Sequence, residues 1–390
     1  MGELAMAADR YTLWGTPHSL YSGKLRSYLI KKRIPFVEQL PNDPRFASEV
    51  VPAIGHFVVP VLGTPDGTLI QDTTAIIDYL EAWHAAPSLT PPGPVQQVIA
   101  HLLDAFGSNY LLPLAMHYRW SYRDRQELFL QTEFARAIPA AMPYEQRLAT
   151  AQMLMGKFAG FLPNLGVCAE VIPAMEESYA ELLGALEAHF RAHPYLLGGC
   201  PSLADFGMMA PLYAHLARDP VPGFLMRTIA PNVAHWTERM NQAEVAGGDY
   251  ADPGGSFPDG DAIPETLETV LALVFAHWGP GLAEDAAQFD RWLESLGDPA
   301  PGTLVSHDGE RQVHPHVGAI AYPWRGVTMR RKSHPHSLWH LARAQAAART
   351  LDPAAAARLA QLLERTGGTQ TMALTTARPI ARENNVLVLA

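Results

Sequence analysis

The sequence predicts a mixed α/β unit at the amino terminus, an all-helical domain after it, and a mixed α/β extension at the carboxyl end. Short β-prone runs alternate with amphipathic helices over residues 9–85, and helical periodicity dominates residues 95–245. Both patterns return over residues 262–390. Two stretches rich in proline or glycine, residues 86–94 and 249–264, separate the three parts.

Length and composition fit a protein with more than one core. The chain has 390 residues, of which 48% are hydrophobic and 17% are charged, the profile of a compact protein. At roughly 100 to 200 residues per domain, this length suggests two or three domains.

Net charge and cysteine usage indicate which classes of binding partner and which cellular compartment to expect. The net charge of −10 favours neither nucleic acid nor an anionic membrane as a partner. We recognise no signal peptide and no long apolar segment, so we expect a cytoplasmic protein. Cys168 and Cys200 lack the spacing of zinc ligands or of a disulfide framework, and we expect both to be buried.

The amino-terminal unit has the pattern β–α–β followed by β–β–α. A β-prone run over residues 11–15 precedes a helix over residues 24–32, and an extended segment follows. A right-handed crossover would make these two strands parallel. Residues 57–62 and 68–70 predict a hairpin, and residues 72–83 predict a helix with one buried stripe.

Helices are predicted over the middle domain and most of the extension. In the middle domain they cover residues 98–106, 145–161, 174–193, 203–216 and 233–240. In the extension, helices over 266–278 and 284–295 precede β-prone runs over 317–321 and 326–330 and a helical hairpin that is broken at Asp352.

The loop between the first strand and the first helix carries the first candidate site residue. Ser19 is placed near a helix N-terminus, where unpaired N–H groups and the positive end of the dipole favour an anion. A thiol bound there would lose its proton more readily, because the thiolate gains a hydrogen bond. The loop alone fits a plain helix cap at Ser19 or Ser22 equally well.

Two further positions complete a candidate peptide site. Pro60 opens a strand, and a cis Val59–Pro60 bond would turn the Val59 backbone toward an extended peptide. Asp72 and Thr73 open the next helix, where they suit an amino acid head group, although an ordinary cap fits them too. With Ser19, these positions would recognise a small peptide with a thiol in its middle and an amino acid head at one end.

These stretches resemble the amino-terminal domain of the glutathione S-transferases, which has a thioredoxin-like fold. The resemblance rests on residues 13–29, 59–62 and 72–81 in the family's order and spacing. A Ser202-x-x-Asp205 capping box resembles the signature of the family's all-helical carboxy-terminal domain. The extension lies outside this resemblance.

The resemblance implies a set of site residues. Ser19 would be the catalytic residue that donates a hydrogen bond to the glutathione thiolate. His56 would substitute for a lysine that the family places just before the Val-Pro pair. Tyr110 is expected to line a pocket for the second substrate. The implied glutathione-binding residues are Tyr21, His56, Val59, Pro60, Asp72 and Thr73.

The activity implied is that of a glutathione transferase-like enzyme acting on a small apolar electrophile, by conjugation or by glutathione-dependent isomerisation. The resemblance also implies a homodimer. A non-catalytic binding or scaffolding protein with the same fold is the alternative, because fold does not fix function.

Two histidine pairs in the extension would bind a metal if they lay on strands. His314 with His316, and His334 with His336, each have the spacing that puts both rings on one face of a strand. Neither pair has a cysteine or carboxylate at a matching spacing, so we expect a surface or packing role and no metal site.

Overall fold

The computed structural model describes residues 10–242, 250 and 255–390. Its amino-terminal unit contains a four-stranded mixed sheet. The strands are β1 (Tyr11–Trp14), β2 (Phe36–Gln39), β3 (Val61–Gly63) and β4 (Leu69–Gln71). Their order in the sheet is β2-β1-β3-β4; β1 and β2 are parallel, and the other two pairs are antiparallel. The predicted thioredoxin-like α/β class is confirmed.

Helices flank this sheet, and their bounds differ slightly from the predicted ones. They are α1 (Leu20–Lys31), the short α2 (Val51–Ile54), which continues a π-helical turn (Phe46–Val50), and α3 (Thr73–Trp83). Helix α1 begins four residues earlier than predicted, because Ser19 caps it. Strand β3 begins only after Pro60, which has no N–H group to donate to a ladder.

The middle domain is all-helical, as predicted. Its helices are α4 (Pro94–Ala105), α5 (Leu111–Trp120), α6 (Arg123–Ala135), α7 (Tyr144–Ala159), α8 (Ile172–Ala192), α9 (Leu203–Ala214), α10 (Pro220–Ile229) and α11 (Pro231–Met240). A π-helical turn (Phe106–Tyr110) joins α4 to α5, and a 3-10 turn (Leu162–Leu165) lies between α7 and α8.

The capping box at the start of α9 is present and buried. The side chains of Ser202 and Asp205 cap each other's backbone in the predicted manner. Asp205 also accepts hydrogen bonds from the Leu196 N–H at 3.0 Å and the Trp236 indole N–H at 3.1 Å. Burial outweighs these bonds and raises the pKa of Asp205 to about 6.

The extension begins with one long helix where two were predicted. The extension's elements are α12 (Glu265–Leu296), β5 (Ala319–Trp324), β6 (Val327–Lys332), α13 (Pro335–Arg349), α14 (Pro353–Thr366), α15 (Thr369–Met372), β7 (Ile380–Glu383) and β8 (Val386–Leu389). Helix α12 continues through Pro280, where side chains of β5 and β6 donate to its carbonyls: Trp324 Nε1 to His277 O at 3.0 Å, and Arg331 Nη2 to Gly281 O at 3.5 Å. Strands β7 and β8 were not predicted.

The extension shares one hydrophobic core with the other two parts. That core contains Leu13 of the sheet, Leu103 of the helical domain, and Leu282 and Leu389 of the extension. Helix α13 packs along α4, and α12 packs along α8. The extension therefore reaches both the helical domain and the sheet.

Two smaller findings bear on the sequence expectations. Within the described residues, the helical run Pro94–Trp120 is long and apolar enough to cross a membrane, and 72% of its most apolar window is buried inside the protein.

Cys168 is exposed and Cys200 is half-buried, so the expectation that both are buried is wrong. Cys168 follows a 3-10 turn at the surface, where its side chain faces solvent.

Candidate active site

The strand register brings three predicted binding positions to one edge of the sheet. We call them stations: the Ser19 loop, Val59–Pro60, and Asp72–Thr73. Trp14 pairs with Val61, and Val61 pairs with Gln71 on its other side. The next residues outward are the loop after β1, then Pro60, then Asp72, and they leave the sheet at the same edge because ladder partners continue opposite one another. This edge is the candidate active site.

Ser19 lies in the loop after β1 and caps α1. Its Oγ accepts a hydrogen bond from the Ser22 N–H at 3.3 Å, and the side chain is half-buried. Since the hydroxyl oxygen accepts this bond, its proton remains available to donate. Ser22 is fully buried and accepts from the Thr16 N–H at 3.2 Å, so it supports the loop from inside.

A buried arginine of the helical domain holds the same loop. Arg119 Nη1 donates to the His18 carbonyl at 2.8 Å, while its Nε lies 2.6 Å from Asp219 Oδ2. The exposed fractions of the Arg119 and Asp219 side chains are 2% and 0%. Sequence reasoning missed this contact, because nothing local relates residues 101 positions apart.

The peptide bond between Val59 and Pro60 is cis, as the resemblance implies. Val59 is half-buried, and Pro60 is buried at the start of β3. His56 is nearby in sequence and half-buried, and its buried Nε2 has no hydrogen-bond partner. Burial, together with the positive charge of Arg311, lowers the pKa of His56. At neutral pH this imidazole is uncharged, so it offers a carboxylate a hydrogen bond and no positive charge.

Asp72 caps α3 from an unusual backbone conformation. Its φ is 78°, in the left-handed region, and its Oδ1 accepts from the Thr74 N–H at 2.8 Å. Burial opposes ionisation of this carboxyl, but Arg382 and the histidines His340 and His336 outweigh it and lower its pKa to about 2. Asp72 is therefore a fixed negative charge, and Thr73 lies buried beside it at the first helical position.

Side chains of the extension surround this station, and sequence reasoning missed all of them. Arg382 of β7 donates to the Gln71 amide oxygen. His340 of α13 lies 3.0 Å from Thr74 Oγ1 through Nε2, and 3.1 Å from Asn109 Nδ2 through Nδ1. No local pattern in the sequence signals these contacts, because they join residues more than 200 positions apart.

The implied binding residue Tyr21 is held by an internal hydrogen bond. Its hydroxyl donates to the Ser108 carbonyl at 2.9 Å, and burial raises its pKa. Its ring faces the ring of His314, with 6.5 Å between centroids. The Tyr21 hydroxyl is therefore bonded within the protein, and its ring lies against His314.

Tyr110 lines a small cavity between the helical domain and the extension. The volume of this cavity is about 30 Å³. Tyr322, Trp324 and Met329 of the extension line it from the other side, together with Trp278 of α12. A single water occupies about 10 to 15 Å³ by this measure, so the space holds about two waters. The extension fills the region where an apolar substrate was expected.

The histidine pairs do not meet the condition for a metal site on a strand. His314 and His316 lie in an irregular segment before β5, and His334 and His336 stand at the start of α13, so neither pair lies on a strand. Among residues 10–242, 250 and 255–390, no group of three or more His, Cys, Asp or Glu side chains is placed to hold a metal ion.

Comparison with known families agrees with this architecture. The glutathione S-transferase amino-terminal domain model matches residues 13–88, and the glutathione S-transferase carboxy-terminal domain model matches residues 149–244. The two matched segments are domains of the glutathione S-transferase superfamily. The extension lies beyond both matched segments.

Relatives and solved structures show the same likeness. Glutathione S-transferase 2 of Saccharomyces cerevisiae is 36% identical over 116 residues, which are 28% of this chain. The chain thus spans about half (50%) of that curated relative's length. A glutathione S-transferase of Methylobacterium radiotolerans, solved in complex with glutathione sulfonate, is 21% identical, with 64% of this chain and 96% of that chain covered and a TM-score of 0.36.

A second solved structure, a glutathione transferase of Phanerochaete chrysosporium, is 17% identical, with 61% of this chain and 99% of that chain covered and a TM-score of 0.41. With scores this low, the family assignment depends on the two domain models.

Proposed function

We propose that this protein binds a thiol peptide of the glutathione type and activates its sulfur for attack on a small apolar electrophile. The observation that carries the proposal is the meeting of three features at one sheet edge: the Ser19 loop, the Val59–Pro60 segment that leads into β3, and the Asp72-capped helix. An extended peptide passing this edge would meet a helix N-terminus at each side and the Val59 backbone between them.

In the proposed reaction, Ser19 stabilises the thiolate and the sulfur forms the new bond. The thiol proton passes to solvent, and the Ser19 hydroxyl donates to the remaining thiolate, as its accepted bond from Ser22 permits. The thiolate electron pair then forms a C–S bond, while a leaving group departs with its electron pair or an alkene carbon takes up a proton. In an isomerisation, the adduct would rotate about the former double bond, give that carbon proton back to solvent, and re-form the double bond as the thiolate departs with its electron pair.

The test compares the wild type with Ser19→Ala in calorimetric titrations of glutathione, with thiolate absorbance in the ultraviolet followed against pH. We expect the wild type to bind and ionise glutathione near neutral pH, and the variant to bind it without ionising it at that pH. Ser88→Ala, at an exposed serine in the linker, is the matched control and should behave as the wild type. Absence of binding to the wild type at millimolar glutathione would refute the proposal.

A non-catalytic binding protein is the second candidate, and the cavity beside Tyr110 favours it. A volume of about 30 Å³ leaves no room for an organic electrophile in this conformation. A protein that binds and ionises glutathione but transfers it to no electrophile in a broad panel would fit this candidate. Turnover of any member of the panel would exclude it.

Assembly and location are also proposals. We propose a homodimer, as the resemblance implies, and a cytoplasmic location, which fits two cysteines without the spacing of a disulfide framework. Light scattering after size exclusion tests the first, and cell fractionation tests the second.

A further inference from the structure

The carboxyl-terminal hairpin places a cation at the station where the peptide's head group would bind. Arg382 lies on β7 and is half-buried. Its Nη2 donates to the side-chain oxygen of Gln71, the residue directly before Asp72. Its positive charge is the largest of the influences that lower the pKa of Asp72. The negative charge that would attract a ligand's ammonium therefore already has a positive neighbour.

The fold holds this cation in place. Strand β7 pairs with β8 along its whole length, and all four residues of β8 are buried. Asn384 and Asn385 turn the hairpin with positive φ angles of 47° and 67°. Asn385 Nδ2 donates to the Ile54 carbonyl at 3.3 Å, so the turn is attached to the amino-terminal unit. Arg382 is thus part of a folded element.

The neighbouring histidines do not add comparable charge at neutral pH. Burial is the main cause that lowers the pKa of His336 to about 3 and that of His340 to about 4. Both rings are therefore neutral at pH 7. Among these three influences on Asp72, Arg382 is therefore the one that carries a charge at this pH.

We propose that Arg382 determines the specificity of the site and selects thiol peptides whose head group carries a carboxylate but no free ammonium. An incoming ammonium would be attracted by Asp72 and repelled by Arg382. The net electrostatic attraction would then be too small to offset the free energy lost when the ammonium leaves water. An incoming carboxylate would be attracted by Arg382 and by the N-terminus of α3. This inference rests on the proposed function and names its substrate class.

The experiment measures binding of two probes that differ by one group. Glutathione and deaminated glutathione, in which a glutaryl group replaces the γ-glutamyl head, are titrated by calorimetry into the wild type, Arg382→Ala and Arg382→Lys. We expect the wild type to bind the deaminated probe about tenfold more tightly, and Arg382→Lys to keep that order. In the Arg382→Ala variant this order should reverse, so that glutathione binds more tightly than the deaminated probe. Arg349→Ala, at an exposed arginine of α13, is the matched control and should keep the wild-type order.

The outcomes separate this inference from the function on which it rests. If the wild type prefers glutathione and Arg382→Ala leaves the ratio of dissociation constants unchanged, the inference is overturned while thiol-peptide binding stands. If Arg382→Ala lowers the dissociation constants of both probes by the same factor, Arg382 restricts access without selecting between head groups. The inference is again overturned. If neither probe binds to the wild type or to any variant, the proposed function fails and the inference fails with it.

Discussion

Replacing Lys24 with methionine should destabilise the folded protein by about 3 to 5 kcal/mol. Lys24 of α1 lies with its Nζ 2.6 Å from Asp104 Oδ1 of α4, and the exposed fractions of the two side chains are 0% and 2%. The variant leaves the Asp104 carboxylate buried at the interface between the two domains, where Ser108 Oγ is the remaining donor at 3.3 Å. The cost comes from this unpaired charge, because methionine itself replaces the aliphatic part of lysine.

Urea unfolding, followed by tryptophan fluorescence and far-ultraviolet circular dichroism, measures the free energy of unfolding. The double variant Lys24→Met with Asp104→Leu should recover most of the loss, because both charges of this pair are then removed together. Arg365→Met is the matched control: its ion pair with Glu268 has the same 2.6 Å distance, but the exposed fractions are 55% and 26%. We expect that control to cost less than about 1 kcal/mol. A similarly small cost for Lys24→Met would refute the reasoning.

Two further predictions concern the start of α9. Because burial raises the pKa of Asp205 to about 6 from a reference value of 3.8, its folded form holds a proton more tightly than its unfolded form. The free energy of unfolding should therefore fall by about 3 kcal/mol as the pH rises from about 4 to about 6. The variant Asp205→Asn should lack this pH dependence. Parallel curves of unfolding free energy against pH for the wild type and the variant would contradict this prediction. Gly207→Ala should cost about 3 kcal/mol, because a Cβ there would lie 2.3 Å from the Asp104 Cα. In the control Gly156→Ala the added Cβ meets nothing within 4 Å, so thermal melting should show a gain of up to about 1 kcal/mol.

The amino-terminal unit was predictable because its signals are local. Ser19 caps the helix that follows it, and Asp72 caps the next one, so each position is set by a few neighbouring residues. These short-range rules sufficed to single out the three positions, and the strand register of the structure brings them to one edge.

Prediction failed where distant contacts decide the local structure. The Gly-Pro-Gly stretch around Pro280 indicates a helix break, but hydrogen bonds from Trp324 and Arg331 support the helix there. Strands β7 and β8 were missed, although the Asn384-Asn385 pair between them is a recognisable turn signal. The sequence contains that signal, but it does not show what the hairpin packs against.

The same limit applies to the ligand. Residues 59–62 and 72–81 resemble a site for a peptide with an ammonium head, and a motif comparison takes Asp72 as the free partner of that ammonium. The structure adds Arg382, which is 311 positions from Gln71 in the chain and bonds to it in space. A single distant arginine changes the electrostatic balance of the station without altering any residue of the motif. The ligand class proposed for this protein therefore depends on where its extension folds, as well as on the motif residues of the first domain.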